Sequence, residues 1–172
     1  MKRVILDTNI YEFMIKGMNT EALQRLASQR EIIIYDNEII RKELRDIPKE
    51  KIGLVDTKLR KLRNALLGVY DLLIGRHSYK ITPEMYLVAD KHYVAYRAAG
   101  GNISKDKIIN DLLIVASAGL TQMDIVVSED AKTMLSATAI KAYTIVNEVE
   151  NLRTPNFIRF ENFLKEIRRY VS

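Results

Sequence analysis

The chain is predicted to fold as an α/β protein, a mainly parallel sheet with helices on both faces. Three observations lead there. Short apolar runs of strand-forming residues recur at Val4-Ile5-Leu6, Ile32-Ile33-Ile34-Tyr35 and Ile125-Val126-Val127. Stretches with helical periodicity separate them, and strands that alternate with helices assemble into a parallel sheet. The 172 residues, 48% hydrophobic and 28% charged, suit one domain with a real core and exclude a disordered or collagen-like chain.

Taken in order, Val4-Ile5-Leu6 sets a buried strand over residues 3–7, because a strand covered on both faces reads as an unbroken apolar run. A short helix is expected from Asn9 to a stop at Gly17, and Thr20 caps a second with Ala22, Leu23 and Leu26 on its apolar face. After the strand at 32–35, Asp36 or Asn37 caps a helix carrying Ile39, Ile40 and Leu44. That helix must end before Pro48, since the residue ahead of proline is kept out of helical geometry. Val55, Leu59, Leu62, Leu66, Val69 and Leu73 alternate spacings of four and three, which predicts a long helix over 49–75 with one apolar stripe. The stripe fits packing on its own domain, a homodimer or a partner peptide.

Thr82-Pro83-Glu84 combines a capping hydroxyl, a proline at the first position and an acid at the positive end of the dipole, so a helix starts there and runs to Gly100-Gly101. Ser104 opens another, almost wholly apolar from Ile108 through Leu120 and therefore buried on most sides. A third strand follows at 125–127, a fourth is predicted at Tyr143-Thr144-Ile145-Val146, and Phe160 to Tyr170 closes as an amphipathic helix. The helices between 49 and 100 are an all-helical excursion from the alternation. With no repeat, low-complexity tract or linker, residues 1–172 are expected to form a single domain.

Composition removes several function classes. No apolar run is long enough to span a bilayer; the longest candidate, Ala65 to Gly75, carries Asp71. Met1 to Leu6 meets Asp7 before a secretory apolar segment can form, so a cytoplasmic location is expected. The absence of cysteine excludes disulfides, thiolate metal sites and a cysteine nucleophile. Twenty-seven Lys and Arg against 22 Asp and Glu give +5, a mild excess that favours a polyanionic partner.

The placement of the acids says more. Ligands of open parallel sheets bind beyond the carboxyl ends of the strands. Asp7 ends the first strand, ahead of Thr8 and Asn9, and Asp130 follows the third in Ser128-Glu129-Asp130. Asp111 stands among Ile108, Ile109, Leu112, Leu113 and Ile114, where an ionised carboxylate is costly without a cation or hydrogen bonds. It is the hardest of the acids to explain without a metal. Glu43 lies in the helix after the second strand, in Arg41-Lys42-Glu43-Leu44. Singly, Asp7 and Asp130 also suit helix caps, and Glu43 suits a solvated helix face. Together they suit one metal site, and oxygen-only ligation without His or Cys points to Mg²⁺ or Mn²⁺ rather than zinc.

Val4-Ile5-Leu6-Asp7-Thr8-Asn9, Arg41-Lys42-Glu43-Leu44, Asn110 through Ala118 and Ile125 through Asp130 stand in an order that resembles the PIN-domain nucleases, most closely their toxin-like VapC branch. The resemblance spans nearly the whole chain. It implies a three-layer α/β/α sandwich in which Asp7, Glu43, Asp111 and Asp130 meet in a cleft, bind Mg²⁺ or Mn²⁺ and serve hydrolysis of RNA phosphodiester bonds. It makes Asn9 and Ser128 polar supports, with Ser128 where the family often has Thr. It also implies an antitoxin protein as partner and a homodimer. The helices of 49–100 are longer than in the smallest members.

Other features carry less. Lys58, Arg60, Lys61 and Arg63, and Lys42 and Arg45 near Glu43, fit phosphate contacts or an ordinary solvated face. Tyr86, Tyr93 and Tyr96 share one side of their helix and fit packing better than base stacking. His77 and His92 have no partners for a triad or a zinc site. Competing functions are an RNA-maturation nuclease without an antitoxin, and a non-catalytic RNA- or protein-binding module. A phosphatase with Asp7 as nucleophile needs a second aspartate where Asn9 stands.

Overall fold

Five parallel strands lie in the order β3-β2-β1-β4-β5. The computed structural model describes residues 1–16, 31–46 and 57–168. Along the chain these are β1 (Lys2–Leu6), α1 (Thr8–Lys16), β2 (Ile32–Asn37), α2 (Glu38–Asp46), α3 (Thr57–Ile74), β3 (Ser78–Tyr79), α4 (Pro83–Ala98), α5 (Lys105–Leu120), β4 (Ile125–Val127), α6 (Ala137–Val149), β5 (Asn156–Ile158) and α7 (Phe160–Arg168). The helix expected from Thr20, the end of α2 before Pro48 and the position of Val55 fall outside the described residues.

The central register pairs Ile5 with Tyr35 on one side and with Val126 on the other. Val4, Ile5, Leu6, Val126 and Val127 are all without solvent exposure, as an apolar strand sandwiched between helices requires. α4 packs along α5 and α6, while α1, α2 and α3 pack on one another, giving the three-layer α/β/α sandwich. The buried side chains form one continuous cluster.

Local signals explain most boundaries. Asn37 caps α2, its Oδ1 accepting the N–H groups of Ile39 and Ile40 at 3.1 and 3.4 Å. Thr82 caps α4 through the Met85 N–H at 3.3 Å, with Pro83 opening the helix. The apolar stripe of α3 turns inward: Leu66, Tyr70, Leu73 and Ile74 join the core and Leu62 and Val69 pack against it, so packing on its own domain accounts for it. In α5, Leu112 through Gly119 are buried without a break.

Two expectations are corrected. Tyr143 to Val146 is not a strand but the middle of α6. Ser136 caps that helix through the Ala139 N–H, and Ala139, Ala142, Tyr143, Val146 and Asn147 form a buried stripe at helical spacing. Packing and the cap thus override the local β preference of Thr144-Ile145-Val146. The fifth strand is instead Asn156–Ile158, and the excursion between 49 and 100 holds the two-residue edge strand β3.

Candidate active site

The sheet order places β2 and β3 on one side of β1, and β4 and β5 on the other. The carboxyl ends of β1 and β4 are therefore the topological switch point, where open parallel sheets leave a crevice. A cleft of about 440 Å³ opens there, lined by Asp7, Glu43, Asp111 and Asp130 together with Thr8 and Asn9, and by Glu12 and Asp46.

Asp7 is the deepest, with 4% of its surface exposed. Its Oδ2 accepts the Ser128 hydroxyl at 2.6 Å and the Asn9 amide at 2.6 Å, and its Oδ1 accepts the Thr8 N–H at 2.7 Å. Burial pushes the Asp7 carboxyl up to about 6 against the pull of the Ser128 and Thr8 hydrogen bonds, with Glu43 and Asp130 adding to the rise. Ser128 is fully buried, and its Oγ also accepts the Asp130 N–H at 3.0 Å. Asn9 Oδ1 accepts the Glu129 N–H at 3.1 Å. These two side chains stitch the first turn of α1 to the end of β4 around one carboxylate.

Asp111 enters from α5, and the Thr133 hydroxyl lies 2.6 Å from its Oδ2. Burial pushes Asp111 up to about 7, opposed by Thr133 and reinforced by the charges of Asp7, Asp130 and Glu43. The same Thr133 hydroxyl bonds Asp130 Oδ2. One hydroxyl hydrogen cannot be donated to two carboxylates at once, so Thr133 satisfies only one of the pair at a time. For Asp130, burial pushes upward, but Thr133 and the N–H groups of Thr133 and Lys132 outweigh it and hold the carboxyl below its ordinary value. Glu43 reaches in from α2, bonded to the Thr8 hydroxyl and, at 2.6 Å, to the Asn110 amide.

The four predicted acids thus share one cleft, yet they do not form a ready cage. Among the described residues, no group of three or more His, Cys, Asp or Glu is arranged to hold a metal ion as placed. Each carboxylate leans instead on a neutral donor. Asp7 is the least exposed of the four acids, while Asp111, partly exposed at the cleft, is nonetheless pushed up further by burial, to about 7 against about 6. Thr8, Asn110 and Thr133 were missed. Thr8 and Asn110 adjoin predicted acids, but nothing in the sequence marks Thr133 as the hydroxyl between two of them. Asp130 caps no helix: residues 131–135 are a turn, whose Lys132 and Thr133 N–H groups its Oδ1 accepts at 2.8 and 2.9 Å, and Ser136 caps the helix beyond. His92 is buried, 3.0 Å from Asn147 Oδ1, and lines no part of the cleft.

A three-layer sandwich with this all-parallel sheet, and acids gathered at its switch point, is the PIN-domain fold. Solved structures of VapBC complexes share this fold. The chain is similar to VapBC2 from Rickettsia felis, solved bound to a DNA fragment from their promoter, at TM-score 0.58 and 16% identity over 92% of this chain and 98% of that one. DNA-bound VapBC from Salmonella typhimurium gives 0.54 and 16% over 92% and 98%, and VapBC-1 from nontypeable Haemophilus influenzae 0.56 and 15% over 90% and 96%. At such identities the likeness is one of fold. No protein-family model and no curated protein matches the sequence. Among the described residues, no helix is long and apolar enough to cross a membrane.

Proposed function

We propose that this chain is a Mg²⁺- or Mn²⁺-dependent endoribonuclease, the toxin of a VapBC-type pair, acting in the cytoplasm. The carrying observation is the cleft itself: two carboxylates pushed up by burial, Asp7 and Asp111, facing Glu43 and Asp130 at the switch point of the sheet. Four acids crowded in one crevice repel each other unless protonated or matched by a cation. The donors are all oxygen, which suits a hard divalent ion. Asp7, Glu43, Asp111 and Asp130 would hold it, and when bound it supplies Lewis acidity toward water and phosphoryl oxygens.

The chain's own residues set the stage for that chemistry. Ser128, Asn9 and the Thr8 N–H fix the Asp7 carboxylate in one orientation. The Thr133 hydroxyl holds Asp111 and Asp130 side by side, so that both would face a bound cation. Thr8 and Asn110 hold Glu43 over the cleft mouth. No side chain is asked to be a covalent nucleophile.

The partners that go with this function are RNA, an antitoxin protein and a second copy of the chain. Cleavage of a single-stranded RNA with Mg²⁺ or Mn²⁺, with and without EDTA, tests the chemistry. Wild type should cut only without chelator and Asp7→Asn should not cut, whereas undiminished cleavage by the variant or in EDTA refutes the metal mechanism. Arrested growth on induced expression, relieved by a co-expressed neighbouring small protein, is the expected mark of the toxin. Light scattering on the purified chain checks the dimer.

A further inference from the structure

α2 is a partition with three faces. Ile40 and Leu44 point into the core, and Glu43 and Asp46 line the acid cleft. Glu38, Arg41, Lys42 and Arg45, spaced i, i+3, i+4 and i+7, share a further face. That face walls a second cavity of about 420 Å³, whose lining also includes Tyr86 of α4. We propose that this cavity is a nucleotide subsite, taking a phosphate and a base of the same single-stranded chain whose scissile bond lies in the acid cleft. This rests on the nuclease function proposed above.

Charge and shape both favour it. Three cations line the cavity against one acid, and one oxygen of that acid, Glu38 Oε1, is already occupied by the Ile81 N–H at 2.9 Å. Arg41 is held in place, its guanidinium 5.8 Å from the centre of the Tyr70 ring and 3.5 Å from Asp71 Oδ1, and is still half exposed. Arg45 Nε lies 3.8 Å from Asp46 Oδ1 with its side chain largely exposed, and among the described residues no ion pair holds Lys42. Tyr86 is 51% exposed, unlike Tyr96 of the same helix, which is buried at 4%. It sits in the first turn of α4, fixed by the Thr82 cap, and the Ile81–Glu38 hydrogen bond ties that turn to α2. An exposed ring carried on a backbone turn tied to α2, beside several cations, is the pairing that holds a base by stacking and its phosphate by charge. A volume of this size suits a nucleotide-sized ligand. An acidic peptide would use the cations but has no need of the ring.

The test is fluorescence anisotropy of a labelled single-stranded oligoribonucleotide in EDTA across a salt series. Lys42→Ala and Arg45→Ala should each weaken binding and flatten the slope of log K against log salt by about 0.7 per lost phosphate contact, with Lys42→Arg restoring it. Tyr86→Ala should weaken binding about tenfold at every salt concentration without changing the slope, and Tyr86→Phe should bind like wild type. Unchanged melting temperatures guard against misfolding. Unaltered slopes, Tyr86→Ala binding as tightly as wild type, or a polyglutamate peptide competing as well as RNA would overturn the subsite. If wild type leaves RNA uncut with Mg²⁺ or Mn²⁺ while the variants change binding as stated, the nuclease function falls and the subsite stands. If wild type cuts RNA while the variants bind it unchanged, the subsite falls alone.

Discussion

Replacing Asp7 with Asn should make the metal-free protein more stable while abolishing cleavage. The Asp7 carboxyl is pushed from 3.8 to about 6, chiefly by burial. A folded-state value above the unfolded one means no contribution below about pH 4. Stability is then lost as pH rises toward 6, with the full loss above it. At about 1.4 kcal/mol per pKa unit, keeping the charge buried costs about 3 kcal/mol at pH 8. Asn removes the charge but, in the orientation that keeps an acceptor for Ser128 and Asn9, turns its amide N–H toward the Thr8 N–H, which costs about 1 kcal/mol for a lost hydrogen bond. The net gain of about 2 kcal/mol raises the melting temperature by roughly 4–8 °C for a chain of this size. At pH 4, where wild-type Asp7 is protonated, the gain should vanish. Thermal denaturation by circular dichroism at pH 8 and pH 4 in EDTA reads both. Saturating Mg²⁺ or Mn²⁺ at about 100 times Kd should then lift wild type by about 2.7 kcal/mol and leave the variant nearly unmoved. A variant less stable than wild type in EDTA at pH 8, or one lifted equally by metal, refutes the reasoning.

Three further outcomes follow from other contacts. Thr133→Val keeps the shape but removes the hydroxyl that lowers Asp111, so the Asp111 carboxyl should titrate still higher than about 7 by carbon NMR, and a downward move would contradict the assignment. Burial lowers His92 to about 4 against the Asn147 hydrogen bond, so the imidazole is kept neutral in the fold. It is silent above about pH 6.5 and removes stability as pH falls toward 4, about 3 kcal/mol in all; urea titrations should show a shallower acid loss in His92→Gln. Gly101→Ala would place a methyl 2.3 Å from two ring carbons of the buried Tyr96, and should cost about 1–3 kcal/mol in the same assay. A loss under about 0.5 kcal/mol would mean that the ring yields freely.

Much of the fold was legible because local chemistry and burial agreed. The cores of β1, β2 and β4 are apolar runs, and the caps at Asn37 and Thr82 close their helices with side-chain hydrogen bonds. The sequence misled where they disagreed. Thr144-Ile145-Val146 favours a strand by itself but lies in α6, whose stripe is set by the helices it meets. β5 is an edge strand of three residues held by backbone pairing to β4, and so small a unit leaves almost no periodicity to read.

From the sequence alone came the alternation of elements, the identity of the four acids, and the oxygen-only donor set. Hydrophobic spacing and residue chemistry are properties of a linear chain. Only the tertiary structure decided that β1 and β4 are neighbours, so that Asp7 and Ser128, 121 residues apart, share a hydrogen bond. Only it showed that Asp7 is the least exposed of the four acids, that Thr133 stands between two carboxylates, and that α2 divides an acid cleft from a basic cavity. Burial, a shared hydroxyl and the two sides of a helix arise from long-range packing, which no local pattern encodes.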